Sequence, residues 1–353
     1  MTTHTTAYDI PVRDEDNVDE DAWPRAEILA GLPATARLAL DFSPELLLAD
    51  LERLGGGAWG RPQYTDGSGA SGDITGTDWR NLPLHSIGGH DDRHDAGGPQ
   101  LDDFAPAPRL AEVPYLREVL ESIPAPIRSA RLFALGPGAV SPEHHDTKAS
   151  FPWGWLRLHI PIVTLPEAVL RIDGGEHCWS VGGLWYADFS RPHQVVNTGT
   201  GTRVHLVVDT HVTRELMALF PPEFHTPEVL RSVPYHRAGE DLKDTEAEAL
   251  RCRFPMPRSY ADFQEREGEF TNRQPSVDAA VDWHEGRLTL FLDGEPSFGL
   301  VHMGEHEFRF AGWVQERTLQ IVTTADGTPR VVLRTHRGAE TRTLELPAEP
   351  LPA

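Results

Sequence analysis

The chain has 353 residues, of which 39% are hydrophobic and 8% aromatic, and its formal net charge at pH 7 is −22. This length suits two domains, or one domain with a large appendage, and either arrangement can bury a full core. The acidity argues against nucleic acid as a partner, since phosphate binding needs a basic face. No run approaches the roughly 20 apolar residues that span a bilayer, so a membrane partner is not expected either.

The N-terminal sequence is polar and acidic and lacks the basic and apolar regions of a signal peptide. We expect residues 1–34 to form an irregular or disordered tail of a cytoplasmic protein. The two cysteines, Cys178 and Cys252, allow one disulfide at most and fit a reducing compartment. Without a CxxC motif, thiolate zinc sites and iron–sulfur clusters are not expected.

Two helices are predicted before residue 125, separated by Gly/Asp/Ser-rich loop sequence. Ser43-Pro44 supplies an N-cap and a proline at the first helical position, ELLLADLERL follows with a leucine stripe, and glycines from Gly55 end the helix. Pro114 opens the second helix, YLREVLESI, and Pro124 stops it.

Residues from about 128 to 210 have the character of short strands separated by Gly, Pro or Asp turns. The strand-like runs are ARLFALGP, RLHIPIVT, AVLRID, LWYADF, HQVVNT and RVHLVVD. This regular spacing, without helical sequence between the runs, predicts an antiparallel barrel or a double-sheet jelly roll. The protein is therefore expected to be mainly β, with flanking helices.

The rest of the chain divides into a helical connector, residues 213–257, and a small antiparallel β domain, residues 258–353. Asp293-Gly294 and Asp326-Gly327 are strong hairpin-turn signals in the latter. The strand pattern of this domain resembles the lipocalin-like β domain appended to some serine β-lactamase-type hydrolases. Neither an SxxK nor a GxSxG nucleophile motif accompanies it, so a hydrolase is not favoured. Substrate recognition, homodimerisation or shielding of the barrel are its expected roles.

The motif HHDTKAS carries the candidate chemistry. His144 and Asp146 are two residues apart, so in extended chain their side chains share one face and can ligate one metal. His193, at the start of the strand HQVVNT, is the best candidate for a third ligand. Two histidines and one carboxylate leave three positions of an octahedral metal open, which is the arrangement of non-haem iron(II) oxygenases.

Arg203 follows His193 by ten residues, on the next predicted strand. A guanidinium at that position can bind the distal carboxylate of 2-oxoglutarate through two hydrogen bonds, more specifically than a lysine could. HxD, a distal histidine and an arginine ten residues later together form a composite signal that is stronger than any of its parts.

The block from FPWGWLRLHIPIV to RVHLVVD resembles the aspartyl/asparaginyl β-hydroxylase family, which includes bacterial cis-proline hydroxylases. The resemblance rests on RLHIP, CWSVGGLWYADF, HxxxN and RVxLVxD, extends upstream through TDWRNLPLHSIGG and PYLREVLESI, and covers roughly residues 35–212. It implies a double-stranded β-helix, a cupin-like jelly roll, for that segment.

The resemblance also implies roles for individual residues. His144, Asp146 and His193 would bind Fe(II), and Arg203 would hold 2-oxoglutarate, with O2 as the second co-substrate. Arg157 and His159, in RLHIP, match family positions that help to bind the co-substrate or the substrate carboxylate, and Asn197 matches a polar family position to which no role is assigned. Animal members lack the metal-binding carboxylate; Asp146 completes the triad here, which favours hydroxylation over halogenation.

Several of these residues have alternatives. Arg157 could instead form an ion pair, and His159 and His205 could be core histidines. His145 is expected to point away from the metal. His90, His94 and neighbouring aspartates offer a competing metal cluster, but the surrounding glycines favour a solvated loop or a lid. His302, Glu305 and His306 are expected to be surface turn residues, and Trp153, Trp155 and Trp185 packing residues.

The sequence thus predicts a hydroxylase that acts on an unactivated carbon of an amino-acid unit. The favoured substrate is Asp or Asn, at the β-carbon, in a peptide, or a carrier-bound amino acid of a biosynthetic pathway. Free proline or a related free amino acid is the alternative. A cupin-like sensor of metal or small molecules, without catalysis, is the alternative outside the enzymes.

Overall fold

The computed structural model describes residue 29 and residues 31–56, 59–65, 71–73, 76–263, 275–325 and 327–352. Most of the predicted N-terminal tail and part of the Gly/Asp/Ser-rich stretch lie outside these residues. Strands dominate the remainder, as the composition of the predicted strand runs led us to expect.

In the described residues up to His211, the chain forms twelve strands and, from Thr35 onward, two α-helices. The helices are α1 (Pro44–Leu54) and α2 (Pro114–Ser122), with 3-10 turns at Pro108–Glu112 and Phe151–Trp153. The strands are β1 (Thr35–Asp41), β2 (Gln63–Thr65), β3 (Ser71–Asp73), β4 (Trp79–Ile87), β5 (Phe104–Pro106), β6 (Ile127–Leu135), β7 (Trp155–Val163), β8 (Ala168–Ile172), β9 (Gly175–His177), β10 (Gly183–Ala187), β11 (His193–Asn197) and β12 (Arg203–His211).

These strands form two antiparallel sheets with a cavity between them. The larger has the order β1-β10-β7-β12-β6-β4-β5, the smaller has the order β11-β8-β9, and β2 and β3 form a separate hairpin. Non-consecutive neighbours in both sheets mean that the chain crosses between them, as in a jelly roll. The predicted mainly β, double-stranded β-helix fold is confirmed.

Alternation along the central strands separates a packing face from a functional face. On β7, Leu156, Leu158 and Ile160 belong to the apolar cluster that also contains the inward-facing residues of α1 and α2. Arg157 and His159, between them, therefore point to the opposite side, into the cavity. The strand RLHIP is thus buried on both faces, one against helices and one against the site.

The predicted helix ends are confirmed for α1 and α2. The Ser43 hydroxyl accepts a hydrogen bond from the Leu46 amide at 3.3 Å, and Gly55 adopts φ 56° at the end of α1. Both features follow from the residue types, because a serine hydroxyl caps free amides and glycine tolerates positive φ. Helix α2 begins at Pro114 and ends two residues before Pro124.

The residue at the N-cap of helix α2 makes no side-chain hydrogen bond to the helix, and Asp50 of α1 caps it instead. Its buried carboxylate accepts hydrogen bonds from the amides of Tyr115 and Leu116, at 2.7 and 2.9 Å, and pairs with Arg53. An anion at a helix N-terminus satisfies free amides and complements the helix dipole. The contact joins the two helices that cover the outer face of the large sheet.

Some predictions for local structure were wrong. Strands β1, β4 and β5 were not predicted, because Asn81 and Pro83 interrupt the strand pattern of β4 and polar residues alternate in β1. The helical connector holds only short helices, α3 (Arg214–Met217), α4 (Pro227–Arg231) and α5 (Asp244–Ala249), and a 3-10 turn at Pro222–Phe224. Residues 252–257, predicted to belong to it, form a strand of the C-terminal sheet.

In the described residues, the C-terminal sheet has nine antiparallel strands in the order β20-β19-β18-β17-β16-β15-β14-β13-β21, in which β13 to β20 form a meander and β21 returns to the free edge of β13. Its strands are β13 (Cys252–Pro257), β14 (Ser276–His284), β15 (Arg287–Leu292), β16 (Glu295–His302), β17 (Glu307–Phe310), β18 (Arg317–Thr323), β19 (Pro329–Arg337), β20 (Glu340–Pro347) and β21 (Glu349–Pro350), with a 3-10 turn at Arg258–Ala261. Asp293-Gly294 forms the predicted two-residue turn, both residues with positive φ; Asp326 lies outside the described residues. We call residues 252–352 the C-terminal β domain.

The cysteines are both free, Cys178 exposed and Cys252 buried. Among the described residues, no helix combines the length and the apolar character that a membrane crossing requires.

The capping role of Asp50 gives a test of the fold. Asp50→Ala removes the acceptor for two amides of α2 and is expected to lower the free energy of unfolding by about 1–3 kcal/mol, the cost of leaving such groups unsatisfied. Urea denaturation measures the change, and Glu52→Ala, at an exposed position of the same helix, is expected to stay within about 0.5 kcal/mol of the parent. Equal stability of both variants would show that Asp50 does not cap α2.

Candidate active site

Backbone pairing brings the three predicted metal ligands together. The segment after β6 runs beside β11, where His144 and His193 form an isolated antiparallel bridge with reciprocal hydrogen bonds of 3.0 and 2.8 Å. Two residues on, the Asp146 amide donates to the Phe189 carbonyl at 2.7 Å. The HxD spacing therefore places both of its side chains on the side of His193.

Among the described residues, these three form the group of metal-ligating side chains whose ligand atoms lie within 4.8 Å of one another. His144 Nε2 is 3.9 Å from Asp146 Oδ1, and the two imidazole rings are 4.4 Å apart between centroids. Side chains this close, from three different backbone positions, can share one ion. Two histidines and one carboxylate are a donor set that suits Fe(II).

Second contacts of the histidines fix which nitrogen faces the site. His144 Nδ1 lies 2.9 Å from the Pro142 carbonyl, and His193 Nδ1 lies 2.9 Å from the Arg191 carbonyl. A carbonyl oxygen only accepts, so each Nδ1 carries the proton and donates, and each Nε2 presents its lone pair. Backbone carbonyls commonly orient metal-binding histidines in this way.

Charge in the site is also set for binding a cation. Burial lowers the pKa of His193 to about 4, so its imidazole is neutral at physiological pH. Burial alone would raise the pKa of Asp146, but the charge of Arg157, with smaller effects of His193 and His144, brings it below the usual value. The site therefore offers a neutral imidazole at His193 and an ionised carboxylate at Asp146.

Arg157 links Asp146 to a second buried carboxylate. Its Nε and Nη2 donate to the two oxygens of Asp209 at 2.7 and 3.1 Å, while Nη1 donates to Asp146 Oδ2. Because Oδ2 is held by Arg157, Oδ1 is the oxygen that points toward His144. Arg157 thus forms the ion pair that was the alternative to its predicted binding role; co-substrate or substrate binding by Arg157 stays a prediction.

A cavity of about 40 Å³ adjoins the ligands. At one end it is lined by His144 and Trp79, both partly exposed, and at the other by buried Arg203 and His159. The remaining lining residues are Phe133, Arg157, Phe189, His193, Val195 and Val207. The cavity therefore has an outer, aromatic end and a deep, cationic end.

The deep end contains a guanidinium that no carboxylate of the described chain neutralises. Arg203 Nη2 donates to His205 Nδ1 at 2.7 Å, and burial lowers the pKa of Arg203 to about 9, so it remains charged at neutral pH. His159 and His205 are neutral, since burial and then the charge of Arg203 hold the pKa of each well below 6.5. A buried cation of this kind requires an anion for full compensation.

His159 contributes a polar atom to the same end of the cavity. Its Nδ1 lies 3.3 Å from His205 Nδ1, and its Nε2 is buried without a hydrogen-bond partner in the described residues. Buried polar groups are rarely left unsatisfied. The orphaned nitrogen and the uncompensated guanidinium together fit a polar, anionic molecule.

Other residues that the sequence singled out lie elsewhere. Asn197 donates to the carbonyls of residues 135, 136 and 201 and accepts from the amide of Gly199, so it ties together the loops at the base of β11 and β12. His145 is exposed. His94 contacts Asn81 at 2.6 Å, and His90 is exposed. Neither these nor His302, Glu305 and His306 belong to the metal-ligating group found in the described chain.

Sequence reasoning missed three contributors. Trp79 and Phe133, 5.6 Å apart between ring centroids, form one wall of the cavity, and β4, which carries Trp79, was not predicted as a strand. Asp209 was overlooked although it ends the motif RVHLVVD. Asp209 lies four residues beyond His205 in the same strand, so its side chain is expected on the same face as that of Arg203. This alternation along the strand could have identified Asp209 from the sequence.

The fold and the site define a jelly-roll protein with a two-histidine, one-carboxylate centre beside a buried arginine. Residues 46–212 match the family model described as aspartyl/asparaginyl beta-hydroxylase. This match confirms the family resemblance and the enzyme class that the sequence predicted. No curated protein matches the chain.

Solved structures share parts of the fold. An oxidoreductase of the 2OG-Fe(II) oxygenase family from Burkholderia pseudomallei is 12% identical over 52% of this chain and 88% of its own, with a TM-score of 0.35. A Cupin 2 conserved barrel domain protein from Salinispora arenicola is 18% identical over 40% and 92%, with a TM-score of 0.22. TT1209 from Thermus thermophilus is 24% identical over 24% and 71%, with a TM-score of 0.19.

The contact between Arg157 and Asp146 predicts an effect on metal affinity. Arg157→Lys keeps one positive charge but loses the planar fork that fixes Asp146 and Asp209 together. We expect Co(II) to bind about 10–100-fold more weakly, the usual effect of disturbing a residue that orients a ligand. Calorimetric titration measures the affinity, and Arg171→Lys, which alters an exposed pair with Glu176, should leave it unchanged. Unaltered affinity in Arg157→Lys would contradict the positioning role.

Proposed function

We propose that this protein is an Fe(II)- and 2-oxoglutarate-dependent hydroxylase of an amino-acid unit. The observation that carries the proposal is that the His144, Asp146 and His193 group and the uncompensated Arg203 guanidinium line the same cavity. The match of residues 46–212 to the hydroxylase family model supports hydroxylation as the reaction. The metal, the co-substrate and the substrate are the parts that we add.

The donor set favours Fe(II). Three protein ligands leave three positions of an octahedral ion free, which is what a bidentate 2-oxo acid and O2 require. When bound, the iron with its co-substrate supplies the oxidising power needed to hydroxylate an unactivated C–H bond. The protein's own residues orient the ligands and keep water from the reacting atoms.

The deep end of the cavity suits the distal carboxylate of 2-oxoglutarate. Arg203 can donate two parallel hydrogen bonds to a carboxylate, and the resulting pair would compensate a charge that the described chain leaves unpaired. The buried, unpartnered Nε2 of His159 provides a further polar contact there. The residues present therefore fit this co-substrate, and the triad lies between it and the cavity mouth.

The outer end of the cavity is left for the substrate. His144 and Asp146 side chains are 20% and 18% exposed, whereas Arg203 and His159 are buried, so the substrate approaches over His144 and Trp79. We favour Asp or Asn within a peptide, hydroxylated at the β-carbon, or a carrier-bound amino acid. The family description supports this choice, and the net charge of −22 would attract a basic peptide.

Turnover assays decide among the substrates. Purified protein with Fe(II), ascorbate and 2-oxoglutarate is offered Asp- and Asn-containing peptides, free proline and other free amino acids, with succinate and a mass gain of one oxygen atom as the readouts. Stimulation by peptides supports the favoured substrate, and stimulation by free proline alone refutes it. A sensor would bind the metal but give no succinate with any substrate.

Arg203 provides the mutational test of the co-substrate site. Arg203→Met removes a charge-assisted pair of about 1.5–3 kcal/mol, so KM for 2-oxoglutarate should rise by about 10–150-fold. Steady-state assays measure KM, and Co(II) titration should give the parent's affinity, because Arg203 is not a metal ligand. Arg171→Met, at an exposed site on the smaller sheet, serves as the control. An unchanged KM in Arg203→Met would sink the assignment.

A further inference from the structure

The chain that carries His144 and Asp146 is an irregular segment between β6 and β7, and the smaller sheet holds its first part. Bridges join Val140 to Val196 and His144 to His193, and the amide of Asp146 bonds to Phe189. After Asp146 the next backbone bonds are internal to a turn, from Ala149 to Asp146 and from Ser150 to Lys148. Side chains outside the barrel therefore matter for the position of this turn.

Lys148 lies at the centre of the turn in an unusual conformation. Its φ is +59°, in the left-handed region that side-chain-bearing residues other than Asn and Asp seldom adopt, and the residue is buried. Its ammonium donates to Glu316 Oε1 at 2.8 Å and lies 5.1 Å from the centre of the Trp153 ring. A lysine at a position where glycine would fit the backbone better points to a use for its charge.

Glu316 belongs to the C-terminal β domain, immediately before β18, and it is held independently of Lys148. Its Oε2 accepts from the Trp313 indole at 2.9 Å, Arg317 Nε lies 3.4 Å from Oε1, and its carbonyl accepts from the His336 amide at 2.7 Å. Only 2% of the residue is exposed. The carboxylate is thus a fixed point to which Lys148 is attached.

The same domain holds the ligand segment at a second point. The Gly338 amide, in the turn between β19 and β20, donates to the Pro152 carbonyl at 2.8 Å. The guanidinium of Arg337 lies 5.2 Å from the centre of the Trp153 ring, which Lys148 also contacts. Two attachments four residues apart, both C-terminal to Asp146, complement the bridges that the barrel provides on the N-terminal side.

We propose that the C-terminal β domain completes the metal centre, with Glu316 as a positioning residue that fixes the Asp146 turn through Lys148. This inference rests on the proposed metal site and adds a role for a domain whose described residues supply none of the candidate metal ligands. The barrel sets His144 and His193 through backbone pairing, and the appended domain sets the turn beyond Asp146. Metal affinity should therefore depend on a residue of another domain.

The test measures Co(II) binding to the full-length protein by calorimetry, together with the visible absorption spectrum of the Co(II) form. Glu316→Gln removes the charge while keeping the size of the side chain, and Lys148→Met removes its partner. We expect each variant to bind Co(II) about 10–100-fold more weakly and to show an altered spectrum, as for other residues that orient ligands. Both changes break the same ion pair, so the double variant should lose no more Co(II) affinity than the single variant with the larger loss.

Two controls separate positioning from general damage to the domain. Leu333→Ala opens the core of β19, where the side chain is fully buried, and should lower the melting temperature while leaving Co(II) affinity within twofold of the parent. Glu345→Gln alters an exposed ion pair with Arg330 in the same domain and should change neither. Both results, with the losses above, support the proposal.

Several results would overturn it. They are an affinity of Glu316→Gln within twofold of the parent, a loss in Leu333→Ala as large as in Glu316→Gln, additive losses in the double variant, or no Co(II) binding by the parent. The proposed function fails separately, because it requires succinate formation. A parent protein that binds Co(II) but turns over no 2-oxoglutarate would sink the hydroxylase while the dependence on Glu316 remained measurable.

Discussion

The bidentate pair between Arg157 and Asp209, buried between two central strands, is the interaction on which the site depends. β7 and β12 pair so that Arg157 stands opposite Asp209, and their ion pair occupies the inner face where an apolar core would otherwise form. Burial alone would raise the pKa of Asp209, but Arg157, and then Arg131 and Arg128, keep it well below its usual range. The permanent charge of Asp209 in turn holds Arg157 in the one orientation that reaches Asp146.

This network prepares the site for a cation. Arg157 neutralises Asp146 and restrains one of its oxygens, so the carboxylate need not be reorganised when a metal arrives at the other. The two histidines are oriented by the carbonyls of Pro142 and Arg191. Such preorganisation shifts the energetic cost of the site from binding to folding, where the apolar cluster between the large sheet and helices α1 and α2 can offset it.

Much of this could be predicted from the sequence, for identifiable reasons. The strands that surround the site have short apolar runs and clear turns, and the ends of α1 are marked by Ser43, Pro44 and Gly55. Sequence spacing alone connects four residues, and it can be read without knowing the register of the sheets. They are His144, Asp146, His193 and Arg203. Single-sequence patterns therefore predicted both the jelly roll and the three side chains that the structure brings together as candidate metal ligands.

What could not be predicted depends on contacts between distant segments. Strand β4 was not predicted, because Asn81 and Pro83 are residue types that rarely occur inside strands. In the structure, the backbone of Asn81 pairs with Gly60 and its side chain contacts residue 94, and these contacts satisfy its polar groups. The pairing of Lys148 with Glu316 joins residues 168 positions apart, and nothing local marks either as a partner. Likewise, the RLHIP motif indicated a functional role for Arg157 but not that its guanidinium would pair with two carboxylates.

The contrast between the two cavity arginines follows from their surroundings. Arg157 has two carboxylate partners, Asp146 and Asp209, and these two negative charges keep its guanidinium positively charged. Arg203 has a neutral histidine instead, and burial without a counter-charge lowers its pKa to about 9. A buried unpaired cation destabilises the folded chain, and natural sequences keep such groups mainly where a ligand uses them. The unpaired arginine is therefore the one that a dicarboxylate would stabilise, and the paired arginine is the one that orients Asp146 in the candidate metal centre.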